Sequence, residues 1–182
     1  MEFLRLKIND VILITPKVFG DDRGFFLETF REDLFSTNGI QYQFVQENHS
    51  GSHQGVLRGL HYQIHHTQGK IVRALRGEIF DVAVDIRKSS ATFGRWAGAF
   101  LSDQNKQQLW IPPGFAHGFY TLSDWAEIAY KATDYYDPAS ERTILWNDPD
   151  INVDWPFYPG DSPIVSEKDK IGKAFHDAEV FD

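Results

Sequence analysis

Cysteine is absent from the 182 residues, which excludes disulfides, thiolate nucleophiles and Cys-ligated zinc together. No run of about 18 apolar residues occurs, so no membrane-spanning helix is expected. The opening residues, Met1 to Lys7, lack the long apolar stretch of a secretory signal. Positive charge is also in short supply: 18 Lys and Arg stand against 26 Asp and Glu, a net charge of -8. Without a basic excess to neutralise phosphates, a nucleic acid polymer is not an expected partner. A few local cations can still hold a small anionic ligand. A cytoplasmic protein that engages neither nucleic acid nor membrane is the default expectation.

What is present is an ordinary globular balance, 42% hydrophobic and 24% charged, in a length that fits one domain over residues 1–182. Phe80 to Arg87 alternates large apolar residues with polar or small ones, the period of a half-buried strand. Similar segments lie at 43–48, 56–63, 70–75, 97–101, 108–111, 116–122 and 125–133. Turn signals separate them at Gly51-Ser52, Gly69, Arg76-Gly77, Pro112-Pro113-Gly114 and Ser123-Asp124. Helix is expected over Thr29 to Ser36, closed by Asn38-Gly39, and again near Ser166 to Phe175. Many short strands, tight turns and a few short helices predict an all-β fold, a jelly-roll sandwich or barrel. An early arm precedes the main run of strands, and a short helical tail follows it.

The densest chemistry lies in Gly55-Val56-Leu57-Arg58-Gly59-Leu60-His61-Tyr62-Gln63. Positions 58 and 61 of an ideal strand face opposite sides, but a bulge at Gly59 would turn both toward one cavity. The plainer alternative is a structural histidine and a surface arginine. Lys70 opens the next strand, with Val72 and Ala74 on its face; such a lysine is usually just solvated. Ile111 to Phe119 joins a rigid Pro-Pro-Gly turn to His117, and Tyr130 to Tyr136 supplies three phenols. Pro112-x-Gly114-x-x-His117 resembles the second motif of the cupin superfamily, whose metal-binding members carry a His-x-His pair on an earlier strand. Here that pair would be His61-Tyr62-Gln63, with glutamine in the second place. His53, His65, His66 and Glu78 are the remaining candidates for a metal set, and no metal or other cofactor is expected.

Taken together, these segments resemble the dTDP-4-dehydrorhamnose 3,5-epimerases, a cupin-like jelly-roll family. The likeness runs through Asp22-Arg23-Gly24-Phe25-Phe26-Leu27-Glu28, Gln46-Glu47-Asn48-His49-Ser50, Gly55 to Gln63, Gly69 to Val72 and Gly77 to Arg87. It continues through Thr92-Phe93-Gly94, Ile111 to Phe119, Tyr130 to Tyr136, Trp146 to Pro149 and Ser166-Glu167-Lys168-Asp169. The resemblance implies an isomerase acting on a dTDP-4-dehydro-6-deoxy sugar in dTDP-L-rhamnose synthesis. It implies His61 as the base, Asp169 as the carboxylate that orients it, Tyr130 as the proton donor on the opposite face, and Lys70 beside the ketone. As substrate contacts it implies Arg23, Phe26, Glu28, Gln46, Glu47, Asn48, Arg58, His117, Glu141 and Lys168, with Tyr136 stacking on thymine. It also implies a homodimer in which the early arm reaches the partner subunit.

Three other readings fit the same residues less well. A mono-epimerase would share the fold and invert C3 or C5 alone, although His61 and Tyr130 together favour both. A sugar-nucleotide-binding cupin would keep ligand affinity without turnover. A metal-dependent cupin enzyme would require a bound metal ion for activity.

Overall fold

The computed structural model describes residues 1–158 and 160–182. Its strands are β1 (Glu2–Arg5), β2 (Ile12–Thr15), β3 (Val18–Asp21), β4 (Gly24–Leu27), β5 (Gln46–His53), β6 (Leu57–Gln63) and β7 (Lys70–Arg76). They continue as β8 (Glu78–Asp85), β9 (Trp96–Ser102), β10 (Gln108–Ile111), β11 (Phe115–Thr121), β12 (Trp125–Ala132) and β13 (Glu141–Thr143). Among the described residues, helix is limited to α1 (Glu32–Thr37), α2 (Glu167–Lys170) and a 3-10 turn at Phe175–Asp177. None of these helices is long and apolar enough to cross a membrane.

Two antiparallel sheets pack face to face, one ordered β1-β2-β10-β7-β12-β5 and the other β13-β6-β11-β8-β9. Non-consecutive neighbours throughout are the mark of jelly-roll connections, so the all-β expectation holds. A separate hairpin, β3–β4, stands apart from both sheets. Alternation along each strand sends Val72, Ala74, Leu109, Ile111, Ala126 and Ile128 inward from the first sheet. They meet Ala83, Ala97, Leu101, Phe115 and Phe119 from the second, burying one apolar layer between the two.

Each sheet is covered on its outer face as well. Phe35 of α1 and Ile40 cap Ile12, Ile14, Ile71 and Trp110 on the larger sheet. The chain after β13 lays Ile144, Ile151 and Trp155 over Leu57, Leu60, Tyr62, Phe80, Val82, Val84 and Tyr120 on the smaller one.

That cover corrects one expectation. β8 is not half-buried: every residue after Glu78 is buried, and Asp81 and Asp85 are fully enclosed. Asp85 is saturated there, accepting from Arg87, Ser90 and Thr92 at 2.5 to 3.1 Å.

Gly51-Ser52 is likewise no turn. β5 runs straight through it, paired with β12, and Gly51 leaves room for the Trp125 ring, which a Cβ there would meet at 2.3 Å. The bend falls instead at Gln54-Gly55, where Gly55 has φ +78°. α1 begins three residues later than expected, since Arg31 is still extended at φ -149° and ψ 118°. The second helix is a single turn capped by Ser166, whose side chain accepts from the Asp169 amide.

Candidate active site

The bulge foreseen at Gly59 is present and sets the geometry of the site. Leu57 and Leu60 both pack into the outer cluster although they are three residues apart. Pairing with β11 slips accordingly, placing Arg58 opposite Phe119 and His61 opposite His117. The extra residue sends Arg58 and His61 to the same inward face. Glycine is required at the crossing: Gly59 has φ +128°, and a Cβ there would lie 2.5 Å from the Gly118 Cα.

An open cavity lies between the sheets, lined by His61, Lys70, His117, Tyr130, Tyr136 and Glu141 among others. Asp169, delivered by α2, accepts a hydrogen bond from His61 Nε2 at 2.5 Å. With the proton fixed on Nε2, the other ring nitrogen carries the lone pair. Burial works to raise the Asp169 carboxyl, but the bond from His61, the charge of that ring, and bonds from Ser166 and Gly59 hold it below the usual carboxylate range.

Lys70, far from being merely solvated, places its ammonium 5.7 Å from the centre of the Tyr130 ring. Burial lowers its pKa to about 8, resisted by the charges of Asp81 and Glu141. Burial also raises the Tyr130 phenol, with Asn48 opposing, Glu141 adding to the rise and Arg58 opposing again. Tyr130 is therefore protonated and Lys70 is mostly cationic at neutral pH.

Beneath them, His117 Nε2 donates to Asp81 Oδ1 at 2.7 Å, while Asp81 Oδ2 is enclosed without a protein partner. Burial lowers the His117 pKa; the Asp81 charge and bond oppose this, and Lys70 and His61 reinforce it. Asp81 is the one central residue that sequence reasoning passed over. On an alternating strand an aspartate reads as solvent-facing, and only the register of β8 on β11, which sets Asp81 opposite Phe119 and so diagonal to His117, would have revealed it.

At the rim, Gln46 and Asn48 share the inward face of β5 and are linked at 3.2 Å. Glu141 is salt-bridged to Lys168 and accepts from the Tyr136 hydroxyl at 2.9 Å. Those two bonds outweigh burial and keep Glu141 below its ordinary pKa, while the same bond raises Tyr136. Glu47 does not join them. Strand alternation turns it to the opposite face, where it pairs with Lys131 at 3.0 Å. Arg23, Phe26 and Glu28 are not brought to this cavity either. Arg23 and Phe26 line a groove on the β3–β4 hairpin, and Glu28 follows the hairpin beside Arg31. Among the described residues, no group of three or more His, Asp or Glu side chains is arranged to hold a metal ion.

Comparison with known proteins gives this geometry its context. A family profile described as dTDP-4-dehydrorhamnose 3,5-epimerase matches residues 5–177. The chain is 58% identical to a dTDP-4-dehydrorhamnose 3,5-epimerase of Pseudomonas aeruginosa, over 100% of this chain and 99% of the relative. It is 56% identical to one of Neisseria gonorrhoeae over 98% of its own length, spanning 54% of that longer protein. Its fold matches the crystal structure of a Legionella pneumophila dTDP-6-deoxy-D-glucose-3,5-epimerase in complex with dTDP-4-keto-L-rhamnose. That match has a TM-score of 0.94 and 50% identity, covering 98% of this chain and 94% of the other.

Proposed function

This chain belongs to the dTDP-4-dehydrorhamnose 3,5-epimerase family, and from that premise we propose that His61 and Tyr130 exchange protons on opposite faces of the bound sugar. The protein is a carbohydrate epimerase. It inverts C3 and C5 of dTDP-4-dehydro-6-deoxyglucose to give dTDP-4-dehydro-6-deoxy-L-mannose, a step of dTDP-L-rhamnose synthesis.

A carbon beside a ketone releases its proton because the charge left behind spreads onto the ketone oxygen. His61 takes that proton, held in one tautomer by Asp169 as a triad aspartate holds its histidine. Lys70 supplies the fixed positive charge for the enolate oxygen, a contribution typically worth about 3 to 4 kcal/mol. Tyr130 returns a proton from the other face, and inversion results. General acid–base transfer of this kind contributes roughly a hundred- to ten-thousand-fold. Arg58 and Lys168 hold the diphosphate, Gln46, Asn48, His117 and Glu141 orient the sugar nucleotide, and Tyr136 stacks on the base.

The observation that carries this reading is the 2.5 Å His61–Asp169 bond in one cavity with Tyr130 and Lys70. Solvent-deuterium exchange into the substrate tests it, with label expected at both C3 and C5. His61→Ala is expected to abolish exchange while dTDP still binds; surviving turnover would overturn the base assignment.

We read residues 1–182 as one cytoplasmic domain that works as a homodimer. Phe19, Phe25 and Phe26 on the β3–β4 hairpin are half or more exposed, an apolar surface that suits a second copy. Arg23, Phe26 and Glu28 would then complete the neighbouring site. Sedimentation should give twice the 20.9 kDa chain mass; a monomer with full activity would overturn this.

A further inference from the structure

Gln63 occupies the second place of the His-x-His position noted in the sequence, and it faces the cavity beside His61. Its side chain is 4% exposed, and its amide is committed entirely to backbone. Nε2 donates to the His66 carbonyl at 2.6 Å and to the Tyr135 carbonyl at 3.1 Å. Oε1 accepts from the Asp137 amide at 2.9 Å. Tyr135 and Asp137 are the two neighbours of Tyr136, and the Tyr136 amide itself donates to Gln46 Oε1 at 2.9 Å. Two glutamine side chains, one from β6 and one from β5, therefore hold three consecutive backbone units.

Besides these bonds, the loop is tied by Gln68 Nε2 donating to the Asp134 carbonyl at 2.9 Å and by the Tyr136 hydroxyl donating to Glu141 at 2.9 Å. Tyr135 and Tyr136 are 64% and 51% exposed, so no core packing sets the position of the Tyr136 ring. Buried amide groups are costly to leave unbonded, and all of these have partners only when the loop adopts this one path. The geometry points to Gln63 as a positioning residue for nucleotide recognition: it presets Tyr136 at the cavity rim and takes no part in proton transfer. This inference rests on the reading of Tyr136 as the base-stacking residue. Fixing an aromatic platform before the ligand arrives removes an ordering penalty from binding, so the effect belongs in affinity and not in turnover.

The isosteric change Gln63→Met keeps the volume and removes all three bonds. Calorimetry with dTDP alone should show affinity falling about tenfold, of the order expected for losing a buried hydrogen-bond set. KM should rise by a similar factor, with kcat within about twofold and deuterium still entering both carbons. In a Tyr136→Ala background the same change should weaken dTDP binding by less than about twofold, since the platform is already gone.

A lower kcat with unchanged KM, or an undiminished effect in the Tyr136→Ala background, would overturn the inference. Weaker dTDP binding in Tyr136→Ala but not in Gln63→Met overturns the role of Gln63 alone. Unchanged dTDP affinity in Tyr136→Ala overturns the stacking role of Tyr136 and this inference with it. Should Gln63→Met fail to fold, Gln63→Glu is measured in its place. It keeps the acceptor for Asp137 but sets a carboxylate against two carbonyls, and its results are judged by the same criteria.

Discussion

Two imidazole–carboxylate pairs stand side by side in this molecule, on strands whose histidines are direct register partners. His61 is 28% exposed and bonds at 2.5 Å to an aspartate brought by α2. His117 is 9% exposed and bonds at 2.7 Å to Asp81 within its own sheet. Ser166 and Gly59 join the ring in holding the Asp169 carboxyl below its usual range. Asp81 has one free, enclosed oxygen and the charge of Lys70 near it. The same two functional groups are thus placed for different work. The open, well-supported pair suits a base that must gain and lose a proton. The enclosed pair, its imidazole pushed toward neutrality by burial, suits a fixed donor and a counter-charge.

The largest expected effect is the contrast between the two histidines. His61→Asn should lower kcat by about a thousandfold or more, within the range for loss of a general base, with dTDP affinity nearly kept. His117→Asn should cost roughly ten- to a hundredfold, as for loss of an orienting hydrogen bond. Equal losses in steady-state assays would erase the distinction.

Next comes the lysine between the pairs. Its folded pKa, about 8, lies below the unfolded 10.5, so the unfolded chain holds more protons between those values and stability rises with pH across that window. At pH 7 the enclosed charge costs about 3 kcal/mol, and Lys70→Met should melt higher while losing activity. Denaturant titrations at pH 7 and pH 10 check both statements.

Asp81→Asn is expected to act through the same lysine. Removing the charge that most supports the ammonium lowers its pKa further. The fall in kcat as pH rises through about 8 should therefore begin at lower pH in the variant, which a kcat–pH profile would show. An unmoved profile would separate Asp81 from Lys70.

The smallest effect concerns stability at the open pair. Asp169 titrates below its ordinary value, so its contribution is present above the unfolded carboxylate pKa and is lost as pH falls through the folded one. Asp169→Asn should destabilise by about 1 kcal/mol at pH 7, with the difference shrinking in acid.

The sequence made the middle of the fold legible because strands there are long enough to display a period. β10 was bounded to the residue, and β6, β7, β9, β11 and β12 to within one at each end. β1 to β4 have four residues each and β13 has three, too few to show alternation. The cavity residues were legible through their joint resemblance to a family, and the Gly59 bulge through steric reasoning. What stayed hidden depended on the far side of a sheet. Nothing local in β8 says that residues 144–181 will cover its Phe80, Val82 and Val84 face, which leaves Asp81 on the face between the sheets with Ile79 and Ala83. The resemblance implies Glu47 as a contact beside Gln46 and Asn48, and strand alternation parts it from both.

His61 and the carboxylate that serves it are 108 residues apart, one on β6 and the other on α2, beyond both sheets. During synthesis the ribosome completes every strand of the sandwich before the dyad has its second member. A chain interrupted after β13 holds the imidazole and the phenol without Asp169, so turnover reports that translation has passed α2.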